Sequence, residues 1–390
     1  MDNLMYLTYI AIILLAGLIC LFISRKLRLP NALLLLLVGL SFGAFSGISF
    51  SLNFLVLVST IAIIVALFDS SARLKFKEFD SLPMRALKFF IISLVLNLVF
   101  LSFSIKLIFG IPSFALCLLF AALVTGTNSE SIHLIFGKAK NKVAEFIDLE
   151  ALINTPFTII IPFIILELTQ KQQVIFENIT DQTFLIVQQF IVGIGTGILV
   201  GIIIARFIKK NFNRNITPIV IIASALLAYV IAEQLGGNGI FAVCLMALVL
   251  GNSSIRGKQD IYEISSAVSL ILEIFVFVVI GIIIKLPFNM ISLRNSFVLF
   301  IIYTIIRYIS IAISSKKEYK NKEKLFIALN SAKGIALAVV ILALSTMNIT
   351  GIKPILDLAF MFMLYSLIIS AITLRFSKYF IKDILVKKHV

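Results

Sequence analysis

The chain of 390 residues has no tryptophan, two histidines and three cysteines. That leaves too few soft ligands for a metal cluster, since His133 and His389 lie far apart in the sequence. Cys20, Cys117 and Cys244 each lie inside an apolar run, without metal or redox spacing, and read as small packing residues. Charge is scarce at 14% of residues, and acidic charge scarcer: 19 Asp and Glu stand against 34 Lys and Arg. A water-soluble domain of this length needs more polar surface than that. No hydrolase triad has a supporting context. The Gly-rich stretch IVGIGTGILVGIII (Gly193, Gly195, Gly197, Gly201) sits inside an apolar run with no strand before it, so it is no nucleotide fingerprint; its glycines read as close-packing positions. An enzyme is excluded, and no cofactor is called for.

What is present is hydrophobic residue, 61% of the chain, with a mean hydropathy of +1.12. It is arranged in runs of around 20 residues, enough helix to cross a hydrocarbon core of about 30 Å. Backbone groups in lipid must be satisfied internally, so such runs form helices. The segmentation predicts thirteen spans: 4–24, 31–46, 51–70, 88–109, 112–134, 149–168, 184–206, 216–234, 238–252, 265–285, 294–313, 325–347 and 354–374. No connection is long enough for a soluble domain, so residues 1–390 form a single all-α, polytopic membrane domain in contact with lipid. The first run lacks a basic leader and a cleavage site and reads as a retained helix.

The formal charge of +15 would suggest a nucleic-acid partner in a soluble protein. Here the basic residues fall in every second connection: Arg25, Lys26 and Arg28; Arg73, Lys75, Lys77 and Arg85; Lys138, Lys140 and Lys142; Arg206, Lys209, Lys210 and Arg214; Arg256 and Lys258; Lys316, Lys317, Lys320, Lys322 and Lys324; and Arg375, Lys378, Lys382, Lys387 and Lys388. That alternation is the positive-inside pattern of a multi-pass cell (inner or plasma) membrane protein with its N-terminus outside and its C-terminus cytoplasmic, and it removes the case for nucleic acid.

Three spans carry residues that are costly in lipid. The fifth has Gly126, Thr127, Asn128 and Ser129 in mid-crossing. The sixth places Glu150 and Asn154 on one helix face, followed by Thr155 and by Pro156, which removes a backbone donor. The twelfth has Asn330, Ser331, Lys333 and Gly334. Interrupted helices at mid-membrane are one way carriers build ion sites, whereas helix packing through hydroxyl and amide bonds is the plainer reading of any single Ser or Thr. Glu150, Glu273, Arg307 and Lys333 are ionisable deep in spans, with Glu130 and Glu233 nearer the ends and Asp357 near the outer end of the last. A static ion pair such as Glu150 with Lys333 is the structural alternative to a moving charge.

Gly237, Asn238, Gly239 and Ala242, then ALVLGN ending at Asn252, and LEIFVFVVIG from Leu272 to Gly281, together with span count and order, resemble the monovalent cation:proton antiporters of the prokaryotic sodium/proton exchanger type, related to the animal exchangers. The resemblance covers essentially the whole chain. It implies an inverted-repeat fold with discontinuous crossed helices, a core bundle of 88–168 and 294–374, scaffold and dimerisation helices in 1–70 and 184–285, a homodimer, and monovalent cations and protons as substrates. It also implies a cation and proton site at Thr127, Asn128, Ser129, Glu150, Asn154 and Thr155, with a monovalent cation at Thr127, Asn128 and Thr155. The charge pair or switch would involve Glu150, Lys333 and Arg307, with Lys333 in the place of the family's twelfth-span Arg and paired with Glu150. Two family aspartates are replaced, by Asn128 and Thr155. Exchange of Na⁺, K⁺ or Li⁺ for protons by alternating access through a non-standard site is the leading expectation. A uniporter or carrier of another, anionic solute drawn to Lys333 and Arg307, and a transport-inactive member with a regulatory or partner-binding role, stay open beside it.

Overall fold

Apolar runs with so few internal donors and acceptors leave the backbone only helix, and the computed structural model has no strand among its described residues. It describes residues 2–381 apart from 46, 47, 49, 76–80, 137–140, 172–178, 215, 255–257, 285–288 and 316–317. The expected basic residues Lys77, Lys138, Lys140, Arg256, Lys316, Lys317, Lys382, Lys387 and Lys388, and His389, lie outside that set.

In chain order the helices are α1 (Asp2–Leu27), α2 (Asn31–Phe45), α3 (Leu52–Ala72), α4 (Ser81–Leu96), a π-helical turn (Asn97–Leu101), α5 (Ser102–Phe109), α6 (Phe114–Leu123), α7 (Glu130–Phe136), α8 (Lys142–Lys171), α9 (Ile179–Lys210), α10 (Thr217–Gln234), α11 (Gly239–Asn252), α12 (Lys258–Ile283), α13 (Met290–Ser315), α14 (Asn321–Leu329), α15 (Ile335–Ser345), α16 (Ile352–Arg375) and α17 (Ser377–Phe380). Nine helices among the described residues are long and apolar enough to cross a membrane, and four shorter apolar ones accompany them. Taking α4 with α5, α6 with α7 and α14 with α15 as single crossings gives the thirteen expected.

Several helices outrun their apolar stretches: α4 begins at Ser81, α8 at Lys142 and α12 at Lys258. Hydropathy marks only the lipid-matched portion, while the helix itself continues as far as its backbone ladder is favourable. Large apolar side chains point outward, Leu107 at 82% and Leu199 at 63% exposed, as a lipid-facing belt requires. Inside, α3, α6, α8, α12, α15 and α16 contribute to one continuous buried core. The stretch from Gly237 to Asn252 is a packing device. Asn238 caps α11 by accepting from Ile240 N at 2.9 Å and Phe241 N at 3.3 Å, and its Nδ2 donates to Glu167 at 2.6 Å. Asn252 Nδ2 closes the other end by donating to Leu74 O at 2.8 Å.

Two crossings are broken in the middle. The first stops at α6 and resumes at α7; the second stops at α14 and resumes at α15. Poor helix formers at 125–129 and 330–334 account for both breaks.

Candidate ion-binding site

A broken helix exposes carbonyls at one stub and N–H groups at the other. The two breaks here meet and satisfy each other in part: Asn128 N donates to Ala332 O at 2.7 Å. Glycine permits that approach. A Cβ on Gly334 would lie 2.6 Å from Asn128 Cβ, and one on Gly126 would lie 2.1 Å from Thr158 Oγ1. Thr158 is buried, with its hydroxyl donating to Asn154 O at 2.9 Å, so it has no room to yield. Gly126→Ala should therefore destabilise the protein by about 1–3 kcal/mol through overpacking. Thermal unfolding of the purified variant checks this, and an unchanged midpoint would refute it.

Beside the crossing, three side chains form a closed buried network. Thr127 Oγ1 donates to Glu150 Oε1 at 2.9 Å and accepts from Asn154 Nδ2 at 2.7 Å. Thr127 N donates to Asn154 Oδ1 at 3.3 Å. The i, i+4 spacing on α8 puts Glu150 and Asn154 on the face that meets Thr127.

Glu150 pairs with Arg307 from α13, through Nη1 to Oε1 at 2.8 Å and Nη2 to Oε2 at 3.1 Å. The family-based pairing of Glu150 with Lys333 is therefore corrected. The planar guanidinium fork matches both carboxylate oxygens, which an ammonium cannot do. Nη2 of Arg307 also donates to Ile327 O, an orphan carbonyl in the last turn of α14, at 3.3 Å, and the guanidinium lies 5.2 Å over the Phe89 ring. Lys333, fully buried, lies elsewhere. Its Nζ donates to Val124 O, to Gly126 O at 2.9 Å and to Tyr303 Oη at 2.5 Å. All three ammonium donors are thus used, two of them at the carbonyl end of α6. Each buried cation compensates the negative end of one broken half-helix, Lys333 that of α6 and Arg307 that of α14.

The two replaced aspartates sit differently. Thr155 turns its hydroxyl back to Ala151 O at 2.6 Å, within its own helix. Asn128 Oδ1 accepts from Glu130 N at 3.1 Å. Ser129 immediately precedes α7, its carbonyl accepting from Ile132 N at 2.9 Å, outside the Thr127 network. Four neighbours were not singled out from the sequence. Asn97 of the π turn donates to Thr125 Oγ1 at 3.1 Å, Tyr303 receives Lys333, Ser366 Oγ accepts from Lys333 N at 3.1 Å, and Ser370 donates to Asn330 Oδ1 at 3.1 Å. Asn97 alone gave a signal, as a lone amide in an apolar run.

The balance of formal charge at the crossing is one carboxylate against two cations, Glu150 with Arg307 and Lys333.

Residues 10–377 match the family model described as "Sodium/hydrogen exchanger, transmembrane". The chain is 25% identical over 374 residues to Na(+)/H(+) antiporter 1 of Methanocaldococcus jannaschii, covering 87% of this chain and 84% of that one. It is 23% identical over 366 residues to the K(+)/H(+) antiporter NhaP2 of Shewanella sp. strain ANA-3, covering 90% of this chain but 62% of that relative's length. The structure of the sodium proton antiporter MjNhaP1 from Methanocaldococcus jannaschii at pH 8 superposes with a TM-score of 0.75 at 22% identity, over 95% of this chain and all of that one. With the family model spanning nearly its whole length, the chain belongs to the sodium/hydrogen exchanger family.

Proposed function

We propose that this protein is a secondary carrier that exchanges a monovalent cation, Na⁺, K⁺ or Li⁺, for protons by alternating access. The reading rests on one observation above all. Two apolar helices, each broken partway along its length, meet through Asn128 N and Ala332 O, and a buried Thr127–Asn154–Glu150 network sits beside their meeting point. Family membership and relatives named as Na⁺/H⁺ and K⁺/H⁺ antiporters support it. On this reading α4–α8 and α13–α16 form the moving core and α1–α3 with α9–α12 the scaffold of a homodimer in the cell membrane, N-terminus outside. The cation would be held by neutral oxygens of Thr127, Asn128, Asn154 and Thr155.

An anion carrier is disfavoured, because all three donors of Lys333 are already taken by protein oxygens. A transport-inactive role has one observation in its favour: the single carboxylate of the crossing is committed to Arg307.

Purified protein in sealed liposomes, with a pH-sensitive dye inside, separates these readings. A Na⁺, K⁺ or Li⁺ gradient should drive proton movement, and Asn154→Ala should reduce it at least tenfold. Absence of any cation-driven pH change in the wild type would overturn the carrier reading.

A further inference from the structure

Where the last crossing ends, α14, α16 and α17 enclose an apolar groove of about 480 Å³. Leu329 of α14 lines it, with Ile369 and Ile372 on α16, Phe376 at the corner after α16, and Tyr379 on α17. Thr373 also lines it, but its hydroxyl donates to Ile369 O at 2.7 Å, so the wall stays apolar. Helix α17 is held in place by Phe380, whose ring lies 5.8 Å from that of Phe326 on α14, and by the buried Ile381 beyond it. From Ile369 to Phe376 the groove follows α16 for about 10 Å. Ile372, Phe376 and Tyr379 are 53%, 61% and 66% exposed, so the recess is open to the surroundings of the protein.

One end of the groove carries positive charge. Lys322 Nζ stands 4.0 Å from the centroid of the Tyr379 ring, a cation–π contact that keeps the ammonium beside a lining residue. Arg375 closes the last turn of α16, and Lys378 precedes Tyr379 in α17; both are exposed. Among the described residues, no carboxylate pairs with Lys322, Arg375 or Lys378. The acids near the start of α14 are engaged elsewhere: Glu318 pairs with Arg85 at 2.6 Å, and Glu323 accepts from Lys320 N at 2.7 Å. Tyrosine and clustered Lys and Arg at a helix end are the marks of a headgroup region. Three such cations beside an apolar recess fit an amphiphile with an anionic head and a hydrocarbon body. A soluble anion would leave the groove unfilled, and a neutral lipid would leave the cations uncompensated.

We propose that this groove binds one acidic phospholipid, with an acyl chain laid along α16 against Leu329 and the headgroup phosphate among Lys322, Arg375 and Lys378. The site requires only that the chain lies in a membrane, so it stands or falls independently of the antiport reading. Its place in the fold gives the lipid a structural role. Leu329 is the last residue of α14, and the next residue, Asn330, accepts through Oδ1 from Ser370 of α16 at 3.1 Å. An acyl chain packed on Leu329 and Ile369 covers the contact that fastens this broken crossing to α16. At the other end, a phosphate shared by Lys322 and Arg375 joins the start of α14 to the end of α16. The bound lipid thus braces the two helices at both ends of the groove.

The test titrates phosphatidylglycerol into the purified full-length protein in neutral detergent and reads bound lipid by native mass spectrometry. Binding should weaken about a hundredfold in the triple variant Lys322→Gln, Arg375→Gln, Lys378→Gln, which loses three headgroup contacts at exposed positions. Ile372→Trp keeps the charges but fills the groove, and should weaken binding at least tenfold. Phosphatidylcholine with the same chains should bind at least tenfold more weakly than phosphatidylglycerol, and inorganic phosphate should not displace the lipid. A photoreactive benzophenone amino acid in place of Phe376 should give a lipid adduct in membranes. Equal binding of the two lipids, or unchanged binding in the triple variant, overturns the headgroup site. Unchanged binding in Ile372→Trp, or displacement by inorganic phosphate, assigns the effect to surface charge and overturns the groove. Crosslinks from position 376 to a second copy or to residues 382–390, in place of lipid, give the groove another occupant and overturn the proposal.

Discussion

Arg307→Met should destabilise the folded protein by about 3–5 kcal/mol, the usual cost of leaving one member of a buried ion pair alone. Arg307 and Glu150 are each about 1% exposed, so water cannot replace the missing partner. The loss should exceed that of the pair alone, because Arg307 also serves the Ile327 carbonyl and covers Phe89, and so joins α13, α14, α8 and α4. Glu150→Gln should be nearly as damaging, since it strands the guanidinium. The double variant Glu150→Gln with Arg307→Met should recover a substantial part of the summed loss, because no uncompensated charge remains. Thermal unfolding by circular dichroism measures all three. Thiol labelling offers a second probe, because Cys20, Cys117 and Cys244 are free and buried and react only on opening. Losses that simply add in the double variant would show that the two residues do not act as a pair.

The crossings were legible because lipid enforces a single local rule: apolar length determines helix, and the thirteen runs correspond to the observed crossings. The breaks were legible too, as Gly, Thr, Asn and Ser in places where a straight helix would want Leu or Ala. Pairing was not. Sequence order places Glu150, Arg307 and Lys333 on three spans but says nothing about rotation of each helix about its axis. Which cation meets Glu150 depends on that rotation. Similarity to a family pattern assigned the partner to the twelfth span, whereas the fork of Arg307 reaches it and Lys333 turns to the end of α6. Glu130 and Glu273 were visible as costly ionisable residues 143 positions apart. That Asn31 of α2 reaches the Glu130 carboxyl is visible only in the packed structure. The π turn at Asn97 was hidden for a related reason, since one widened turn leaves apolar composition unchanged.

Restoring a carboxylate at the crossing is the largest functional change the geometry predicts. With Glu150 against Arg307 and Lys333, a cation entering the Thr127–Asn154 region meets an excess of positive charge and only neutral oxygens to offset its lost hydration. Thr155→Asp would bring that balance to neutrality. A unit charge about 6 Å from the ion, at an effective dielectric near 20, contributes about 3 kcal/mol. That corresponds to about a hundredfold tighter cation binding. The position tolerates the change sterically, because Thr155 is only half-buried and its hydroxyl bonds within its own helix. Cation concentration dependence of the liposome signal should move by that factor in Thr155→Asp, and Thr155→Asn, with the same shape and no charge, should leave it near the wild-type value. The pH profile should then gain a proton-binding group, the added aspartate, that Thr155→Asn does not supply. An unchanged concentration dependence in Thr155→Asp would place the cation away from the crossing of the broken helices.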